Sequence, residues 1–235
     1  MQQGRQRPFP TWAQETFLGG LPPAVARELL RLSVQRALRP GQVMIREGGD
    51  DTHVELIVSG FAKVTTSVDG IENLLNIRLP GDLVGEIGAL TPVPRTATVT
   101  ACGRVIAGVI PRVTFEDFLR RHPAAALRVT ATVAGQLRWA NRRRIDFAVY
   151  PADVRLARLL VEIAEVCGRP AAQGGVEIGV PLSQPELATM IAVSQATVHK
   201  AIHELRGRGL LSTGYRRMTI RDIAELRRIA QPGGA

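Results

Sequence analysis

The sequence predicts an α+β protein: a β-rich sandwich or barrel, then a long helix, then a small winged helix-turn-helix. Three observations carry that reading. Between residues 39 and about 111, short β-branched runs alternate with Gly, Asp and Pro breaks. Pro123 then opens a stretch of helical spacing that continues to about Ala148. Beyond residue 180, two short capped helices precede a hairpin, which is the winged helix-turn-helix order. A chain of 235 residues with 45% apolar and 22% charged residues can bury two modest cores. Such a composition excludes wholesale disorder and fibrous repeats.

Taken in order, residues 21–38 place Leu21, Val25, Leu29 and Leu32 at helical spacing behind Pro22 and Pro23, so a helix is expected over 21–38. Strands are expected at Gln42–Ile45, Val54–Val58, Ala62–Val68, Leu74–Leu79, Ala97–Ala101 and Val105–Ile110. Asp69-Gly70 between two of them is a tight-hairpin signal. In the long helix, Leu127, Ala134, Asn141 and Ala148 recur every seventh residue, with Thr130, Leu137 and Arg144 between them. That heptad seam suits pairing with a second copy, with Asn141 facing it, although a helix packed on its own domain has similar spacing. Tyr150-Pro151 reads as a hinge, because the residue before proline is pushed out of helical geometry. A helix over Val154–Val166, a Gly/Pro-rich turn at 168–175 and a strand at Val176–Val180 follow. The expected division is therefore 1–122, 123–149 and 150–235.

Ser183-Gln184-Pro185-Glu186 is a capping box, in which each end of the tetrapeptide satisfies a backbone N–H of the other. Ser194 can cap a second helix from Gln195 to about Arg208, and residues 210–220 read as a wing. Ser183, Gln184, Ser194, Gln195, Ala196, Thr197, His199 and Lys200 are the candidate DNA contacts of the two helices, and Arg216 and Arg217 those of the wing. Gln can pair adenine and Lys can reach guanine acceptors, while wing cations meet phosphate. Charge agrees with this assignment. The net charge is +9 and the pI near 11.0, with 15 basic against 9 acidic residues after position 135. A merely solvated basic face would carry the same charge. His199 and His203 stand four apart but lack a third ligand, so no metal is expected. Trp12 and Trp139 read as packing residues, and His53 and His122 as surface or capping residues.

Residues 80–101 hold a second constellation. Gly85 and Gly88 bracket Glu86, and Arg95-Thr96 precede the next strand. Arg95 can grip a phosphate through two parallel hydrogen bonds, and Thr96 can add its hydroxyl. Glu86 can accept from a ribose 2′-hydroxyl while Gly85 keeps the approach free of bulk. An ordinary turn with a Glu86–Arg95 surface ion pair would show the same spacing. Two cysteines, Cys102 and Cys167, cannot hold an iron–sulfur cluster and suggest a reducing cytoplasm. No apolar run of signal-peptide or membrane-spanning length occurs, so neither export nor a membrane partner is expected.

These residues together resemble the catabolite activator protein (CRP/FNR) family of transcription regulators, from about 20 to 225. The family's phosphate cassette stands here as Gly85-Glu86-Ile87 and Arg95-Thr96-Ala97, after Pro80-Gly81-Asp82 and the Glu47-Gly48-Gly49-Asp50 turn. Its recognition motif appears as Ser194-Gln195-Ala196-Thr197-Val198-His199-Lys200. The resemblance implies a cyclic-nucleotide-binding β-barrel of jelly-roll type, a dimerisation helix and a winged helix-turn-helix. It implies cAMP, ahead of cGMP, as an allosteric effector, with no haem, metal or iron–sulfur cluster. Gly85, Glu86, Ile87, Arg95, Thr96, Ala97 and, toward the base, Asn141 would hold that ligand. A homodimer on a near-palindromic double-stranded operator, with RNA polymerase as a further partner, completes the expectation. Gln195, Ala196 and Lys200 depart from the family's Arg, Glu and Arg, so a different half-site is expected. No catalytic arrangement accompanies the cassette, and no enzyme activity is expected. The alternative is an effector-independent DNA-binding regulator whose barrel only supports dimerisation.

Overall fold

The computed structural model describes residues 12–214 and 217–231. Eight strands form two antiparallel four-stranded sheets. β1 (Val34–Leu38), β8 (Val105–Ile110), β3 (Val54–Ser59) and β6 (Leu83–Val84) are neighbours in that order. The second sheet runs β2 (Val43–Ile45), β7 (Thr98–Ala101), β4 (Ala62–Val68), β5 (Ile71–Arg78). Inward-facing Leu38, Ile57, Val84, Val105 and Ala107 of the first sheet meet Met44, Ile45, Val64 and Val99 of the second, which makes a jelly-roll core. Asp69 and Gly70 both take positive φ, 52° and 77°, and close the β4–β5 hairpin as a primed two-residue turn with Val68 opposite Ile71.

The other face of the first sheet is covered by helices. α1 (Pro23–Arg31), α3 (Arg112–Arg121) and the first turns of α4 (Pro123–Val149) bury Leu29, Phe115, Phe118 and Val129 against Val54, Leu56 and Ile110. The expected helix over 21–38 is therefore half correct. It stops after Arg31, and residues 34–38 form β1, paired with β8 from Val34↔Val109 to Leu38↔Val105. An ion pair fixes the change: the Glu55 side chain, fully buried on β3, accepts from Arg36 Nε at 3.2 Å and from its Nη2. Burying that carboxylate requires Arg36 on the same sheet, where β1 lies across β8 from β3. β6 and α3 are also additions to the expected elements.

After Tyr150 come α5 (Ala152–Cys167), β9 (Gly168–Pro170), β10 (Val176–Ile178), α6 (Gln184–Ile191), α7 (Gln195–Gly207), β11 (Leu211–Gly214), β12 (Arg217–Ile220) and α8 (Ile223–Ala230). The strands pair as β11-β12-β10-β9. The expected turn at 168–175 thus includes a short edge strand, because Gly168 and Arg169 pair with Ile178 and Glu177. The core of this part joins Leu156, Leu160, Leu187, Val198, Ile202 and Leu226 and extends to Leu74 and Ile77 of β5. The sheet and the helix-turn-helix therefore share one apolar cluster.

Candidate effector site and nucleic-acid interface

The first site begins with Gly85. Its φ of 84° is left-handed, and a Cβ there would stand 2.8 Å from Arg95 Nη1 and 3.0 Å from the His53 carbonyl oxygen. Only glycine permits this turn with Arg95 drawn in beneath it. Helix α2 (Glu86–Leu90) follows, and the Glu86 side chain is buried. The Arg95 backbone is clamped to the Glu47–Gly49 turn, with Arg95 N–H donating to Gly49 O at 3.0 Å and Gly48 N–H to Arg95 O at 2.8 Å.

The Arg95 side chain is 2% exposed, which makes its hydrogen-bond inventory decisive. Nη1 donates to Gly85 O at 2.6 Å, and Nη2 donates to Asp51 Oδ2 at 3.1 Å and to the His53 carbonyl. Nε is buried and has no partner. The carboxylate beside Arg95 is Asp51, so the surface pair with Glu86 allowed by the spacing is not formed. Burial raises the Asp51 carboxyl, but the Arg95 hydrogen bond and charge outweigh it and hold the pKa below its ordinary value. His53 is more than a surface residue: Nδ1 lies 3.0 Å from Asp51 and Nε2 3.1 Å from Glu55. A continuous polar chain thus runs Arg36–Glu55–His53–Asp51–Arg95.

Above this floor lies a cavity of about 360 Å³, walled by the cassette, β5 and α4. Gly85, Glu86, Ile87, Arg95, Thr96 and Ala97 all line it. Asn141 does not line the cavity of its own chain and is exposed. Helical geometry explains the difference. Gln136 and Ala140 share one face of α4, with Trp139 beside them, and these three line the cavity. Asn141 lies about 100° around the helix from Ala140, on the face of Leu137 and Arg144. Gln136 Nε2 lies 3.4 Å from Glu86 Oε1. Gln136, Trp139, Asp51 and Arg78 are the contributors that the motif did not indicate. The spacing 136/139/140 on a helix was the available signal for two of them.

Trp139 also faces the other way. Its indole N–H donates to Glu162 of α5, whose Oε2 accepts from Arg143 Nη2 at 2.7 Å, and Arg143 stacks over the Trp139 ring at 5.0 Å. Burial lowers the Arg143 pKa and Glu162 opposes that shift. Asp146 adds a second tie to α5 through Arg158 Nε at 3.2 Å. The cavity wall is thereby fastened to the first helix of the C-terminal part.

In the second site the capping box is complete: Glu186 N–H donates to Ser183 Oγ at 3.3 Å, and Ser183 N–H to Glu186 Oε2 at 2.7 Å. Ser194 Oγ accepts from Thr197 N–H at 3.2 Å and starts α7. Ala192 takes φ 53° between the helices. Val198, Ala201, Ile202 and Leu205 face the core, which leaves Gln195, Ala196, His199 and Lys200 exposed. Ser183, Gln184 and Ser194 are exposed beside them, and Gln184 Oε1 lies 3.4 Å from His199 Nδ1. Thr197 is half-buried. Arg217 is exposed on β12, with Nε 3.8 Å from Glu177 Oε1, while Arg216 lies outside the described residues. Among the described residues, no group of three or more His, Cys, Asp or Glu gathers as a metal site, and no helix is long and apolar enough to cross a membrane. Burial pushes the thiols up, Cys102 to about 12 and Cys167 to about 11, which keeps both unreactive near neutral pH.

Comparison with known proteins finds a domain family over each of these two regions. The cyclic nucleotide-binding domain family matches residues 35–122, and the Crp-like helix-turn-helix domain family matches 154–229. The chain is 28% identical over 221 residues to a CRP-like cAMP-activated global transcriptional regulator of Mycobacterium tuberculosis, covering 92% of this chain and 96% of that protein. It is 27% identical over 198 residues to the cyclic AMP receptor protein of Thermus thermophilus, covering 83% and 88%. FixK2 of Bradyrhizobium japonicum shares the fold, with a TM-score of 0.71 over 86% of this chain and 99% of that one, at 20% identity. With a cyclic nucleotide-binding domain joined by one long helix to a Crp-like helix-turn-helix, the chain belongs to the CRP/FNR family of DNA-binding transcriptional regulators.

Proposed function

We propose that this protein is a homodimeric regulator whose DNA binding is gated by a cyclic nucleotide in the barrel. The observation that carries the reading is Arg95: a buried guanidinium with an unpartnered Nε, on the floor of a cavity large enough for a small ligand. A buried donor left unpaired costs about 1–3 kcal/mol, and a cyclic phosphate would recover that cost. Arg95 and Thr96 would take the phosphate and Glu86 the ribose 2′-hydroxyl, with Gly85, Ile87 and Ala97 shaping the wall. Two relatives are named for cAMP, which supports cAMP ahead of cGMP as the effector. Asn141 would act from the partner-facing side of α4.

The dimer reading rests on the exposed stripe of α4, where Leu127 and Leu137 are 72% and 61% exposed. Two recognition helices would then stand about 34 Å apart on a near-palindromic operator. Gln195, Ala196, His199 and Lys200, with Ser183, Gln184, Ser194 and Thr197 behind them, would meet DNA at α7, and Arg216 and Arg217 at the wing. The functional division is 1–122 for sensing, 123–149 for dimerisation and 150–235 for DNA. RNA polymerase is the proposed further partner, and the cytoplasm the proposed location. The test is a calorimetric titration with cyclic mono- and dinucleotides, followed by operator binding with and without each ligand. No binding by any of them, with full operator affinity in their absence, would establish the effector-independent alternative instead.

A further inference from the structure

The cavity offers a ligand more donors than one cyclic phosphate and its ribose consume. A second arginine, Arg78 at the end of β5, lines it, and the buried Arg78 Nε also has no hydrogen-bond partner. Two residues earlier on the same face of the strand, Asn76 lines the cavity as well. Its Oδ1 accepts from the Ile77 N–H at 2.7 Å, so the group it can offer a ligand is the Nδ2 donor. The lining from α4 is different. Gln136 directs Nε2 at Glu86, which leaves its Oε1 as an acceptor. Trp139 has spent its N–H on Glu162, and Ala140 brings no polar side-chain atom.

Besides Arg95, the cavity lining therefore presents donors from β5 and one acceptor from α4. Guanine carries two adjacent acceptors, O6 and N7, and arginine paired to them is the commonest specific arginine–base contact. Adenine carries an N6 amino donor in place of O6, so one donor of the protein would face another and stay unpaired. The guanine N1–H and N2–H groups also suit the Gln136 oxygen. We infer that Arg78, assisted by Asn76, selects a guanine base over adenine, so that the effector is a cyclic guanine nucleotide. This rests on the effector reading of the cavity and reverses the order of cAMP and cGMP suggested by the relatives' names.

The experiment is calorimetry on the full chain with cGMP, cAMP, 7-deaza-cGMP and cyclic di-GMP, repeated on Arg78→Leu. Wild type should bind cGMP at least tenfold more tightly than cAMP, and 7-deaza-cGMP, which lacks the N7 acceptor, should lose much of that margin. Arg78→Leu should lose about tenfold for cGMP, change little for cAMP, and no longer distinguish cGMP from its 7-deaza analogue. Equal or tighter binding of cAMP by wild type overturns the guanine assignment and leaves the effector reading standing. So does a 7-deaza analogue that binds wild type as well as cGMP, a result that needs no folded variant. Tighter binding of cyclic di-GMP than of cGMP would put a second phosphate on Arg78 and overturn its role as a base reader. Binding of none of the four overturns both readings.

Discussion

Arg95 is the most constrained polar side chain of the cassette: it is buried, and its Nε donor is unspent. Arg95→Ala should weaken cyclic-nucleotide binding by at least about tenfold, corresponding to loss of a charge-assisted hydrogen bond of ~1.5–3 kcal/mol. Calorimetry reads the loss, and an unchanged far-UV spectrum shows that the barrel survives. Gly85→Ala combines a positive φ with contacts of 2.8 and 3.0 Å, so it should destabilise the barrel by more than about 1 kcal/mol, seen as a lower Tm. The cassette was legible from its spacing, since glycine, acid and arginine each have a local reason to stand where they do. Asp51, His53 and Arg78 were not, because they reach Arg95 or the cavity across strands, and no local pattern records a pairing between distant segments. Gly85 was singled out for room beside a ligand, and the structure adds a different neighbour: its missing side chain makes room for Arg95 itself.

Elements with their own punctuation were the readable ones. Ser183 and Ser194 announced α6 and α7, and Asp69-Gly70 announced the β4–β5 hairpin. β1 was read as helix because Val34–Leu38 continues an amphipathic run, and what redirects it is the Arg36 partnership with Glu55, 19 positions away. The recognition elements support a test of their division of labour. Gln195→Arg should change which half-site a randomised-operator selection recovers, since on the proposed docking the exposed residues at the start of α7 would face base edges. Arg217→Ala should leave the selected sequence unchanged and weaken binding to every sequence, lowering the slope of log affinity against log salt by about 1. A wing variant that alters the selected sequence would reverse the two assignments.

For the whole molecule, an exposed stripe on α4 and a contact between the barrel and the helix-turn-helix matter most. On α4, Leu137 is exposed in the single chain, so Leu137→Glu should shift the mass measured by light scattering from dimer toward monomer. Between the sheet and the helix-turn-helix, Lys63 of β4 is ion-paired with Glu186 of α6, and Leu74 N–H donates to Thr189 Oγ1 at 3.2 Å. Burial raises the Glu186 carboxyl, but the Lys63 hydrogen bond, with the Ser183 N–H, brings its pKa below the ordinary 4.5. A depressed carboxyl stabilises fully above its unfolded pKa and loses that contribution as pH falls through the folded value. The Tm advantage of wild type over Lys63→Met should therefore hold at neutral pH and shrink below about pH 4.5, as thermal melts across that range would record. The shared cluster of Leu74 and Ile77 with α5–α8 has a consequence for modularity. A fragment cut at residue 150 would keep every side chain proposed to meet DNA yet expose the apolar ground on which β5 sits. Exchanging barrels between relatives would then succeed only when the donor barrel's own β4–β5 hairpin fits the apolar face of α5–α8, so this hairpin decides which barrels are interchangeable.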